Sequence, residues 1–254
     1  MPVGLLYQLF HAAEHRGRDS SGVAYWDSDL EQNFIVKHAV TASLFTKVNS
    51  NYVNSAQRSA RGIAHTRRAS PRMPVDNENA HPFMYGSYVF AHNGSIKNWQ
   101  VLKKDIIDQL GKSSANDAAT KLEFISKANT DSMILGPAIE ARNFKDVVGC
   151  MGLAWLYGEK LYAFRSKKEL TSANITWNIS GDRVVHQLTV VASTWEIIEE
   201  SLAKLQNIRY DAVEGIMHEN RVYEINPGSS VDTGLVAVSS HNSADSFTSK
   251  TDPA

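Results

Sequence analysis

The sequence is poor in cysteine. Cys150 is the only one among 254 residues, which excludes an intramolecular disulfide and any metal site built on several thiolates. No run of about 18 apolar residues occurs, so no helix of membrane-spanning length is expected. Met1-Pro2-Val3-Gly4 carries no basic region followed by an apolar stretch, the pattern of a secretory leader. Charge of one sign is missing too: 26 Lys+Arg stand against 27 Asp+Glu, for a formal net charge of -1. That balance gives no polyanion-binding surface at the level of the whole chain, so neither nucleic acid nor membrane is expected as a partner. The patterns GxxxxGK[ST], GxGxxG and GxSxG are absent, leaving phosphate-cradle and serine-hydrolase readings without local support. A cytoplasmic protein without a cofactor is the default expectation.

What is present is enough apolar material, 43% of residues, for one substantial core. Leu5, Leu6, Leu9, Phe10 and Ala13 space a helix over Val3–Glu14 with one buried face. Val23–Trp26 and Phe34–Lys37 read as a hairpin across Asp27–Gln32, and Ala39–Gln57 as helical. Arg61–Arg67 is strand-like, and Ala69–Ala80, with Pro71 and Pro74, is loop. Tyr88–His92 reads as a strand stopped by an Asn93-Gly94 turn, followed by a helix over Ile96–Leu110 ending at Gly111. Thr130-Asp131-Ser132 resembles a helix cap. Val147–Tyr157 and Lys160–Arg165 read as strands, as does Leu188–Ser193, with a helix over Trp195–Leu205. Gly215–His218, Arg221–Ile225 and Gly234–Val238 close the pattern as strands, the first two joined at Glu219-Asn220. The expectation is an α+β domain over 1–238 with a large antiparallel sheet component, and a polar, flexible tail over 239–254.

Three polar segments exceed what core packing demands: His15–Gly22, His65–Ser70 and His81–Gly94. Each sits where a strand meets a loop, the usual place for binding groups. Arg67 and Arg68 offer a bidentate grip on a carboxylate. Asn93-Gly94 offers an amide and a backbone N–H to a developing oxyanion, although this dipeptide is most often simply a turn. His65, His81 and His92 lack acidic or thiol neighbours in the spacing of a metal motif, and no metal is expected.

In order along the chain come His15-Arg16-Gly17-Arg18-Asp19-Ser20-Ser21-Gly22, Gly62-Ile63-Ala64-His65-Thr66-Arg67, Asn79-Ala80-His81-Pro82-Phe83, His92-Asn93-Gly94-Ser95-Ile96-Lys97-Asn98 and Thr130-Asp131-Ser132. That series resembles the class II glutamine amidotransferase domain of the N-terminal-nucleophile (Ntn) hydrolases. Gly149–Ala154, Leu161–Leu170 and Glu224-Ile225-Asn226-Pro227-Gly228 are similar to its later strands. The resemblance implies a four-layer αββα sandwich with two mostly antiparallel sheets. It implies hydrolysis of the glutamine side-chain amide to glutamate and ammonia, by a cysteine at the mature N-terminus whose α-amino group serves as base. Carried over by position, Arg67 grips the glutamine α-carboxylate, Asp131 holds the α-ammonium, and Asn93 and Gly94 form the oxyanion hole. Thr66, Arg68, Ser70 and His81 line or support the pocket. Glutamine or a related γ-glutamyl amide is the implied partner, with a separate acceptor or synthetase subunit, or a homo-oligomer, beside it.

The family's opening strand, Cys-Gly-Ile-x-Gly, has no counterpart in this sequence. Residue 2 is Pro2, no cysteine, serine or threonine precedes Ser20, and Cys150 falls in a segment that reads as buried strand. The sequence as given is therefore expected not to hydrolyse glutamine. Two accounts remain open: a start misplaced at an internal methionine, or a descendant that lost its nucleophile and acts as a binding or structural protein on the same fold.

Overall fold

The computed structural model describes residues 4–59, 61–180 and 184–235. The first helix, α1 (Leu5–Glu14), starts after Gly4, whose φ of 87° a residue with a side chain would adopt only under strain. Its Leu6 and Phe10 pack against Val23 and Tyr25 of β1 (Ser20–Asp27) together with Phe45 of α2 (Ala42–Val48) and Val53 of α3 (Ser50–Arg58). β1 forms the expected hairpin with β2 (Gln32–His38) and pairs on its other side with β3 (Gly62–Arg67), making a three-stranded antiparallel sheet in the order β2-β1-β3.

A six-stranded antiparallel sheet follows, in the order β12-β11-β7-β6-β5-β4. Its members are β4 (Phe83–Tyr85), β5 (Tyr88–Ile96), β6 (Gly149–Tyr157), β7 (Lys160–Ser166), β11 (Arg221–Asn226) and β12 (Ser229–Leu235). Strand alternation sends Phe90, Leu153, Trp155, Tyr162 and Phe164 to one face. There they form the largest buried cluster with Ile125 of α5 (Ala118–Ser126) and Ile134 of the 3-10 turn Asp131–Leu135. Trp99, Leu102 and Ile106 of α4 (Trp99–Gly111) and Ile139 of α6 (Gly136–Glu140) complete it. The opposite face carries Val89, Ala91 and Leu156, which pack on Ala24 of β1 and Ile63 of β3.

The third sheet was only half legible. β9 (His186–Ala192) pairs with β8 (Thr171–Ile179), and β8 pairs with β10 (Ile208–Gly215), in the order β10-β8-β9. Ala173, Ile175 and Val190 bury against Leu5 of α1 and against Ile198 and Leu202 of α7 (Trp195–Ala203). The architecture is thus α+β with three antiparallel sheets, where two were expected.

Several local expectations need correction. Asn93-Gly94 is no turn: β5 continues through it to Ile96, with Asn93 opposite Gly152 and Gly94 opposite Met151. Residues 216–218 form no strand beside β11; the strand before them, β10, pairs with β8 instead. The helical expectation over Ala39–Gln57 is met by two helices, α2 and α3, that meet at Asn49. The stretch 236–254 lies outside the described residues, and with it the end of the expected Gly234–Val238 strand, the expected tail and the domain boundary. No helix among the described residues is long and apolar enough to cross a membrane.

Candidate functional site

The end of β3, the middle of β5 and the 3-10 turn supply the predicted residues. Arg67 closes β3 and is buried, 7% exposed, with Nη1 donating to the Pro74 carbonyl at 2.9 Å. Burial lowers the pKa of its guanidinium, while the carboxylates of Asp131, Asp19 and Asp76 act to restore it. Its backbone is held from below. Gly17 approaches so closely that a Cβ there would stand 2.4 Å from the Arg67 carbonyl carbon, and Asp19 N–H donates to the Arg67 carbonyl at 3.0 Å. Asp19 Oδ2 also accepts the Ala69 N–H at 2.7 Å, fixing the chain that leaves β3. The glycine and aspartate of the Arg16–Asp19 segment therefore shape the arginine's seat.

Asp131 is not a helix cap. The 3-10 turn begins at Asp131 itself, and its Oδ2 accepts the Ile96 N–H at 2.7 Å, tying the turn to the end of β5. Next to it, Ser132 Oγ lies 2.9 Å from His92 Nδ1, and His92 Nε2 lies 3.3 Å from the Cys150 carbonyl. A carbonyl only accepts, so Nε2 carries the proton and Nδ1 accepts from the Ser132 hydroxyl. Gly94 makes this bridge feasible. With φ at 150°, a Cβ at residue 94 would sit 2.0 Å from the Cys150 oxygen and 2.8 Å from His92 Nε2.

His81, 4% exposed, lies against His65 with ring centroids 4.3 Å apart and planes tilted by 36°, and meets Phe83 edge-on with centroids 4.6 Å apart. Burial drives the pKa of the His65 ring down to about 3, and burial with the neighbouring imidazoles and the Arg67 and Lys37 charges drives that of His81 well down also. Lys37 was not foreseen. Its Nζ donates to the carbonyls of Glu78 (3.0 Å) and Ala80 (2.8 Å) over the Phe83 ring, clamping the segment that delivers His81. Burial lowers its own pKa to about 8. The signal for it was faint: one lysine at the end of an apolar strand.

Thr66 Oγ1 donates to the Ala13 carbonyl at 2.9 Å and ties α1 to β3. Arg68 and Ser70 are exposed on the loop after β3. Cys150, expected in the core, is only partly buried; its Sγ stands 3.8 Å from Ser95 Oγ. Strand alternation puts Cys150 and Ser95 on the face that carries Asn93, one step further along it. That face opens on a cleft of about 340 Å³, bordered by Asn93, Gly152 and His65. Among the described residues no three His, Cys, Asp or Glu side chains converge as a metal site would require.

Comparison with known proteins shows the family and the fold. Over residues 6–170 the chain matches the family model described as glutamine amidotransferases class-II. It is 35% identical over 139 residues to a glutamine–fructose-6-phosphate aminotransferase (isomerizing) of Acinetobacter baylyi, covering 53% of this chain and 21% of that protein. It is 25% identical over 218 residues to the protein of the same name from Shouchella clausii, covering 83% of this chain and 35% of that one. The matches thus span about a fifth to a third of these relatives' length. Among solved structures, the glutamine phosphoribosylpyrophosphate amidotransferase of B. subtilis shares its fold at a TM-score of 0.54 and 17% identity, over 91% of this chain and 47% of that one. A structure described as the allosteric regulatory enzyme of purine biosynthesis does so at 0.56 and 19%, over 90% and 45%. Over its motifs, its matched residues and its fold, the chain belongs to the class II glutamine amidotransferases, and it does so in a sequence whose one cysteine is Cys150 rather than an N-terminal nucleophile.

Proposed function

We propose that this domain binds glutamine, or a closely related γ-glutamyl amide, at the junction of β3, β5 and the Asp131–Leu135 turn, and that the chain as given does not hydrolyse it. The observation that carries the reading is one buried cation, Arg67, under the electrostatic influence of Asp131, next to a strand whose Asn93 borders an open cleft. A zwitterionic amino acid needs one fixed charge of each sign for its α-carboxylate and α-ammonium. Its side-chain carbonyl then needs donors, which the Asn93 amide and the Gly94 N–H supply to an oxyanion. Thr66 and His81 act by holding α1 and the His65 ring in place, and Arg68 and Ser70 from the loop above.

Hydrolysis additionally requires a thiolate with an amine beside it as base. Cys150 sits inside β6, has no free α-amino group, and faces Ser95. A binding or structural role on the Ntn fold is therefore the reading for the chain as it stands. In this reading ammonia-using chemistry belongs to a separate acceptor subunit or to further domains, association with a partner or a second copy accompanies it, and the setting is the cytoplasm. The four-layer αββα arrangement is part of the same proposal: the two three-stranded sheets act as one layer between the six-stranded sheet and the helices α1, α2, α3 and α7.

Calorimetric titration tests the binding claim. Glutamine should bind with a Kd of 10 mM or tighter, about -2.7 kcal/mol, and Arg67→Gln or Asp131→Asn should weaken it at least tenfold in folded protein. Absence of heat at that concentration in the wild-type chain contradicts the proposal.

A further inference from the structure

The segment from Asn77 to His81 lies against β1 and β2 and is fastened there at several points. Ala39 N–H, just past β2, donates to Asn77 Oδ1 at 2.8 Å. Lys37 Nζ donates to two carbonyls of the segment, those of Glu78 and Ala80, and sits 4.4 Å from the centre of the Phe83 ring. The His81 carbonyl comes so close to Gly22, the β1 partner of Lys37, that a Cβ there would stand 2.1 Å from it and 2.7 Å from Lys37 Cβ. Gly22 therefore makes room for the segment, and Lys37 holds it down.

No hydrogen bond fixes the His81 ring. Both of its nitrogens are buried and without a partner among the described residues, so its position comes from its backbone and from ring contacts with His65 and Phe83. His65 passes that position on. Its ring hydrogen-bonds the backbone of His92, the residue before Asn93, and it borders the cleft together with Asn93. A chain of contacts thus runs from Lys37 through the 78–81 backbone and two imidazoles to the strand that presents the Asn93 amide.

We propose that Lys37 is a positioning residue of the glutamine site: its ammonium, by holding the Glu78 and Ala80 carbonyls, sets the His81 and His65 rings and through them the part of β5 that carries Asn93. This rests on the glutamine-binding reading above. The charge matters because a hydrogen bond from an ammonium is about twice as strong as one between neutral groups. Burial brings the Lys37 pKa down to about 8, against the pull of the Asp76 and Glu78 carboxylates, which belong to the segment it holds or adjoin it. β1 meets it at Gly22 and β4 at the Phe83 ring, neither of them charged. As pH rises through about 8 the ammonium is lost, the clamp slackens and glutamine affinity falls.

The test compares the full chain with Lys37→Met, which keeps the apolar stem, and Lys37→Arg, which keeps a cation that does not titrate. Histidine ring protons are followed by NMR, and glutamine binding by calorimetry, from about pH 7 to about pH 9. Burial holds the pKa values of His65 and His81 well below that interval, so both rings stay neutral and a ring signal that moves reports a neighbour. The expected result is a shift of both rings with a midpoint of about pH 8 in the wild type and none in the arginine variant. Glutamine should bind Lys37→Met about tenfold more weakly than wild type at the lower pH and about twofold at the higher, where about a tenth of the lysine is still charged. Lys37→Arg should stay within about threefold of wild type at the lower pH. Titration of glutamine's own α-ammonium affects all three proteins alike. Ring signals that stay put in the wild type, or shift equally in Lys37→Arg, overturn the clamp. A methionine variant that binds as tightly as wild type at the lower pH, or an arginine variant that binds no better than the methionine one, overturns the positioning role. If Lys37→Met fails to fold, the ratio of wild-type to arginine-variant affinity decides, and it should fall about fivefold across the interval. A wild type that takes up no glutamine contradicts the binding reading instead, and the ring signals then still decide the clamp.

Discussion

His65, His81 and His92 show what a buried imidazole does to a protein's response to acid. In the unfolded chain each takes up a proton near pH 6.5. In the folded chain burial prevents this, for His65 down to about 3, and for His92 against the opposing pull of Asp131 and the Cys150 carbonyl. A depressed folded pKa makes the unfolded state bind more protons, so stability is complete above about pH 6.5 and declines as pH falls below it. Each fully neutral buried histidine contributes a slope approaching about 1.4 kcal/mol per pH unit there. The urea midpoint should therefore drop between about pH 7 and about pH 5, before most carboxylates titrate; an unchanged midpoint over that interval contradicts the assignment. The histidines themselves were visible in the sequence, but not the contact between the His65 and His81 rings, because it depends on how the 78–80 segment is held, in part by Lys37.

At the scale of elements, β5 is the instructive one. Asn-Gly is the strongest short turn signal, and reading it as a stop ends the strand at His92 rather than at Ile96. Tertiary pairing wins: Asn93, Gly94, Ser95 and Ile96 all have partners on β6. The glycine is needed for close packing and a φ of 150°, rather than for chain reversal. Gly94→Ala should accordingly cost about 3 kcal/mol from backbone strain and overlap with the Cys150 carbonyl, lowering Tm by about 6–12 °C in a domain of this size. A Tm within about 1 °C of wild type would show that the strand relaxes freely. Alternating apolar residues made β6 and β7 legible. β8, as Thr-Ser-Ala-Asn-Ile-Thr-Trp-Asn-Ile, and β10, as Ile-Arg-Tyr-Asp-Ala-Val-Glu-Gly, escaped because their outward positions and flanks are polar and they pair with each other across the intervening β9 and α7.

The whole molecule joins two kinds of information. Its class and most of its strands follow from periodicity and turn chemistry. The electrostatic influence of Asp131 on Arg67 does not, since it depends on β3, β5 and the 3-10 turn meeting in space, and only the resemblance of the ordered motifs pointed to it. The presence of three sheets where two were expected was also invisible locally, because strand pairing is decided by partners that no single segment displays. The central claim, a glutamine site retained in a chain without an N-terminal cysteine, is most directly tested by one nitrogen-edited NMR titration of the purified chain with glutamine up to 10 mM. The account predicts saturable shifts of the Asn93, Gly94 and Ile96 amides, with the side-chain amide signals of the added glutamine undiminished after hours. Amides that stay unmoved at Gly94 and Ile96, or loss of the glutamine amide signals as ammonia is released, would contradict it.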